Sequence, residues 1–251
     1  MNGARLALSV DRLSGSDGTL NDTNPWTLYP TANPALKRLR CVIDELVNTE
    51  KSYVQSLLDI DQGYLAPLTQ DPDVESSILD IIFGRISELR QFHEHLLLSL
   101  HLHRNDLIQL ARVFLNNARQ FEYLYVDFCI NYCKSIRTLQ DAKQSRASLW
   151  KKLIVCQQNL GHQLPVETYL LKPVQRVLKY QLLLQECVKH CMSAIHSLPS
   201  SGQTSACLER AVSTSNDLHS PDSDFDLLQQ LNEAVPVLGQ ALERMIKVSY
   251  S

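Results

Sequence analysis

From Leu36 to Tyr64 apolar residues recur at alternating intervals of three and four, through Leu39, Ile43, Leu46, Tyr53, Leu57 and Ile60. One position breaks the series: Glu50 stands where the next apolar residue is due. Steps of three and four average to the period of an α-helix, so these residues draw one continuous stripe along a rod. Sustained for about 30 residues, the stripe implies roughly 45 Å of helix. A strand, with its period of two, could not bury it. A rod of that length needs partners of similar length, and the rest of the chain supplies them.

A second helical stretch starts at Asp71-Pro72-Asp73, with Ile78, Ile81, Ile82, Ile86, Leu89, Phe92 and Leu96 through Leu98 on its apolar face. A third, from Asp106 to about Leu139, is rich in aromatics: Phe114, Phe121, Tyr125, Phe128 and Tyr132. A fourth spans about Ser145 to Asn159. Gly161 then breaks the chain before a fifth, from near Pro165 to about His190. Periodicity returns at Phe225, Leu228, Leu231, Val235, Leu238, Leu242 and Met245. Alternating β-branched runs are scarce, so the expected fold is all-α, an elongated multi-helix bundle.

Local signals set the expected boundaries. Asn33 before Pro34 reads as an N-cap with proline at the first helical position. Pro67 is expected to close the first rod, and Pro236 to kink or restart the last helix. Residues 1–33 carry Ser, Asn, Asp, Gly and Thr without periodicity and read as a disordered tail. Residues from about 193 to 223 are rich in Ser, Pro, Asp and Asn and read as a disordered insert. One domain, 34–251, is expected to hold the helices on either side of it.

Composition excludes several classes. A net charge of −3 leaves no broad electrostatic footprint for nucleic acid and no polybasic membrane face. No apolar run has the length needed to span a bilayer, and the N-terminus lacks a secretory core, so the expected location is cytoplasmic. There is no G-x-S-x-G, no H-E-x-x-H and no phosphate-cradling glycine loop. The seven cysteines include no C-x-x-C pair. Cys129 and Cys133, and Cys187 and Cys191 beside His190, sit four apart and share helix faces. A zinc site usually gathers four ligands at compact spacings, so packing of reduced thiols is the better reading. Neither a metal nor a cofactor is expected.

The run from Leu164 to Leu184 carries the strongest functional signal. On a helical wheel Leu171, Val174, Val177, Leu178, Leu182 and Leu184 form a broad apolar arc. Lys172, Gln175, Lys179 and Glu186 gather elsewhere, with Leu183 among them and Arg176 at the edge. Long polar side chains around one exposed leucine suit a grip on a partner protein better than a core. Each has a plainer reading: a solvated face for Lys172, Gln175 and Lys179, an ion pair for Arg176, helix packing for Leu183. For Glu50 the plainer reading is a buried salt bridge within the stripe.

Read as a string, Leu170-Leu171-Lys172-Pro173-Val174-Gln175-Arg176-Val177-Leu178-Lys179-Tyr180-Gln181 and the leucines after it resemble the third conserved region of the Dbl-homology domain. That domain is the exchange module for Rho-family small GTPases. Val42 to Val54, with Thr49-Glu50 shortly before Tyr53-Val54, resembles the first conserved region. Phe114 through Lys134 resembles the middle helices. The resemblance implies a Dbl-type bundle that releases GDP without covalent chemistry, by gripping the switch regions of a Rho-family GTPase. It implies a GTPase-binding set of Glu50, Lys172, Gln175, Arg176, Lys179, Leu183 and Gln185, with Glu50 on the first switch. Some Rho-directed members place a basic residue near Gln185, so a neutral glutamine leans toward a Rac-like substrate. Two departures stand out. The family's late asparagine, which touches the GTPase, aligns with Ile246-Lys247, while Asn232-Glu233 lies too early. The pleckstrin-homology domain that usually follows is not expected within this chain. A non-catalytic scaffold of the same fold is the rival reading.

Overall fold

The computed structural model describes residues 33–198 and 221–250, all of whose regular elements are helical. All of the expected tail except Asn33, and most of the expected insert, lie outside these residues. Helix α1, Pro34–Ile60, starts as its sequence requires: the Asn33 side chain accepts from the Ala35 and Leu36 amides at 2.9 and 3.4 Å. Pro34 sits beyond the cap, where a missing N–H costs nothing.

The rod does not stop at Pro67. It widens into a π-helical turn, Asp61–Leu65, and resumes as α2, Ala66–Thr69, with Pro67 in its first turn. The turn is pinned from outside, because Arg90 Nε meets Asp61 Oδ2 at 2.7 Å and Ser87 bonds the other carboxylate oxygen. The second expected stretch is two helices, α3 (Ser76–Phe83) and α4 (Ile86–Leu102). Gly84, at φ +50°, makes the break, a conformation that side chains with a Cβ resist.

Helix α5, Leu107–Ser145, runs for 39 residues, and Asp106 caps it by accepting from the Gln109 amide at 3.0 Å. Helix α6, Ala147–Leu160, ends on Gly161 in the left-handed region, φ +67°. A short α7, Val166–Leu170, leads through Leu171 into α8, Lys172–Ser197, and α9 spans Pro221–Tyr250. So residues 193–197 and 221–223, expected within the insert, are helical. Pro236 does not restart α9, which runs unbroken through it.

Helix α1 lies between α4 and α8, and α9 lies along both α8 and α5. The core where they meet holds Leu46, Phe114, Phe121, Tyr125 and Tyr180 with no measurable exposure. Each such side chain contributes about 1.5–3 kcal/mol of burial. Cys187 and Cys191 belong to it, and burial pushes both thiols up to about 12. Among the described residues no helix is long and apolar enough to cross a membrane.

Candidate functional site

Glu50 has no exposed surface at all. Its carboxylate spans the α1–α8 seam. Arg176 donates from Nε at 3.0 Å and from Nη2 at 2.5 Å, and Tyr180 Oη donates at 2.6 Å, all to Oε2. Oε1 faces His93 Nδ1 at 2.8 Å. An ionised carboxylate only accepts, so Nδ1 carries the proton and Nε2 is left to accept from Tyr125 Oη at 2.8 Å. Tyr53 Oη stands 3.1 Å from that same phenol and completes the chain. Burial alone would raise the Glu50 pKa, but Arg176, His93 and the hydrogen bonds more than offset it and hold it at about 2. His93 is pushed down, chiefly by burial. The network is satisfied with a charged glutamate, a charged arginine and a neutral histidine. It spans α1, α4, α5 and α8.

Above this buried layer an open groove runs between α1 and α8. Tyr53 and Arg176, each 5% exposed, form its floor. Lys172, Gln175 and Lys179 line one wall, with Thr49, Ser52 and Ser56 opposite. Arg176 Nη1 donates to Thr49 Oγ1 at 2.8 Å, tying floor to wall. At the rim Lys179 Nζ pairs with Glu45 Oε1 at 3.1 Å, and both side chains are more than 40% exposed. The spacing of Lys172, Gln175 and Lys179 brings them to one wall because steps of three and four share a helix face.

The expected site therefore divides. Lys172, Gln175 and Lys179 stand in the groove together. Glu50 lies beneath it, fully buried and bonded to Arg176, Tyr180 and His93, so its carboxylate has no surface open to the groove. Arg176 belongs to the same network and offers the groove only its edge. Leu183 does not lie on the outer face that the helical wheel gave it. It is 5% exposed and packed in the core, whereas Leu182 is 57% and Leu178 40% exposed. The buried arc of α8 is centred on Pro173, Val177, Tyr180 and Leu184, about a third of a turn from the arc read on the wheel. Gln185 is exposed, but in a separate furrow with Val188, Met192 and Leu242 between α8 and α9.

Two features escaped the sequence reading. Glu45 is the carboxylate the groove presents, and only its ion pair with Lys179 reveals it. The second is an outward apolar strip. Ser249 Oγ approaches the Val177 carbonyl at 3.4 Å, and Leu242 lies beside Gln185 and Val188. That antiparallel register sets Ile246, 39% exposed, level with Gln181 and Leu182.

The channel has a cationic wall, a buried ion pair beneath its floor and exposed apolar residues nearby on α8. It is an open groove along the side of a helical bundle. The RhoGEF domain profile matches residues 42–218, more than half of the chain. Mouse pleckstrin homology domain-containing family G member 3 is 34% identical over 184 residues, covering 70% of this chain and 14% of that protein. Human Rho guanine nucleotide exchange factor 25 is 35% identical over 181 residues, covering 71% of this chain and 29% of that protein. The bundle also superimposes on the DH/PH fragment of PDZRHOGEF, solved in complex with human RhoA. That match has a TM-score of 0.59 at 15% identity and covers 84% of this chain and 56% of the other. The chain belongs to the RhoGEF domain family, and it spans less than a third of the length of these two curated relatives.

Proposed function

We propose that this domain promotes GDP release from a Rho-family small GTPase by docking its switch regions into the α1–α8 groove. Exchange of this kind makes and breaks no covalent bond. The domain binds the nucleotide-free GTPase more tightly than the loaded form, and linkage requires that it weaken nucleotide affinity by the same factor. One observation carries the reading: Lys172, Gln175 and Lys179 converge with Glu45 at an open groove above the buried Glu50–Arg176 pair. In this reading Glu45 and Lys179 trade their mutual contact for contacts to the switches. Leu178, Leu182 and Ile246 offer the apolar margin that Leu183 cannot. Ile246 stands where the family's late asparagine is expected, so an apolar contact replaces a polar one there. The exposed neutral Gln185 favours a Rac-like substrate.

Release of a fluorescent GDP analogue from a panel of Rho-family GTPases tests the reading. The domain accelerates release from at least one member, most from a Rac-like one. Lys179→Ala removes a charge-assisted contact of about 1.5–3 kcal/mol, so its rate falls about 10- to 100-fold. Wild-type rates in that variant would remove the groove assignment. No acceleration with any member would leave the scaffold reading.

A further inference from the structure

The groove ends, toward the α6–α7 connection, in a stack of rings. Lys172 Nζ donates to Ser56 Oγ at 2.7 Å and lies over the Tyr169 ring, 4.6 Å from its centroid. His162 stacks on Tyr169 with centroids 3.8 Å apart and planes 9° from parallel. An imidazole that close fills one face of the phenol and leaves the other to the ammonium. The histidine is itself clamped. Its Nδ1 is 3.0 Å from Tyr64 Oη in the π-helical turn, and its Nε2 is 3.4 Å from Asp59 Oδ2 on α1. Gln55 donates to the other Asp59 oxygen at 2.8 Å, and Gln157 donates to the His162 carbonyl at 3.2 Å. Gly161, left-handed at the end of α6, turns the chain so that His162 meets these partners.

This arrangement reaches further than fold maintenance. A lysine has four rotatable bonds, and a partner that must order them loses affinity in doing so. The bond to Ser56 fixes where the ammonium sits, and the ring beneath it fixes the direction from which it arrives. We infer that Tyr169, clamped by His162, is a positioning residue that holds the Lys172 ammonium at the end of the groove, ready for the bound GTPase. The inference rests on the groove being the docking face, as proposed above.

Two measurements on Tyr169→Leu, Tyr169→Phe, Lys172→Ala and the Tyr169→Leu/Lys172→Ala double variant test it. The first is the NMR shift of the Lys172 ε-methylene, which the ring current beneath it moves upfield. Tyr169→Leu abolishes that displacement and Tyr169→Phe keeps it. The second is GDP release: Tyr169→Leu lowers the rate about three- to tenfold, and Tyr169→Phe stays within about twofold of wild type. In the Lys172→Ala background Tyr169→Leu costs nothing more, because a residue that acts through Lys172 has nothing left to position. An unchanged ε-methylene shift in Tyr169→Leu overturns the inference, and so does an equal further loss in the double variant. Wild-type release in Lys172→Ala, or no release by the wild-type domain, overturns the docking face itself together with the inference. The NMR arm tells these failures apart.

Discussion

Glu50 and Glu45 lie little more than a turn apart on α1, and each faces a cation from α8. Their side chains are 0% and 50% exposed, and those of Arg176 and Lys179 are 4% and 42%. The same chemistry therefore does opposite work. Out of water, the Glu50–Arg176 pair must satisfy every donor and acceptor, and it recruits His93, Tyr180 and Thr49 to do so. At the rim, the Glu45–Lys179 pair contributes little to stability and stays open to solvent. Exposure, more than charge or helix position, separates the carboxylate that is part of the core from the one that faces solvent.

Breaking the buried pair gives the largest effect. Glu50→Ala leaves a desolvated guanidinium unpaired and is expected to cost about 3–5 kcal/mol of stability by urea denaturation. A loss below about 1 kcal/mol would mean that the seam is wetter than its geometry. Slightly smaller is the contrast between neighbouring leucines of α8. Leu183→Ala opens a cavity in the core and should cost about 2–5 kcal/mol. Leu182→Ala, on the outer face, should stay within about 0.5 kcal/mol in stability and lower GDP release instead. Reversal of the two would restore the arc read from the sequence.

That arc shows where sequence reading stops. The periodic stripes and the Asn33-Pro34 cap placed most helices, because burial of a helix face leaves a regular imprint on composition. Gly84 left little trace, since apolar residues stand on both sides of the break and one glycine in a helical pattern is ambiguous. On α8 the wheel weighed Arg176 as polar and turned it outward. A buried arginine is written with the same letter as an exposed one, and only Glu50 across the seam tells them apart. The run Leu182-Leu183-Leu184 could not correct the error, because three consecutive leucines cover most of the circumference. That Lys172, Gln175 and Lys179 share one face of α8 was legible from their spacing. Glu45 was not, because one more glutamate on a polar helix face carries no signal until α8 is laid beside it.

Acid titration sharpens the comparison on the buried side. The Glu50 carboxyl is held near 2 in the fold against an ordinary 4.5, so its ionised form is the one the fold favours. That stability is fully present above about pH 4.5 and is lost as the pH falls toward 2, on the order of 3 kcal/mol in all. His93 acts in the same direction: its pKa is lowered, so the neutral ring stabilises the fold above pH 6.5 and less below it. Urea midpoints from pH 7 to pH 2 should show a steep acid limb. In Glu50→Gln, already less stable, the limb should be visibly shallower, and a limb of unchanged slope would assign the acid sensitivity to other carboxylates.

The smallest effect is expected at the rim, where it is also the most discriminating. Glu45→Ala and Lys179→Ala should each change stability by less than about 1 kcal/mol, with a coupling between them of the same small size that vanishes in high salt. Exchange should behave differently. If both side chains turn to the GTPase once it docks, each substitution lowers the rate by itself, and their losses roughly add, because in the complex the two no longer share a partner. If they remain paired to each other, removing either one already breaks the pair, and the double variant is no slower than the worse of the singles. Rate losses that fail to add would therefore place the Glu45–Lys179 pair with Glu50 and Arg176, as a second strut across the seam rather than the hand that the groove extends.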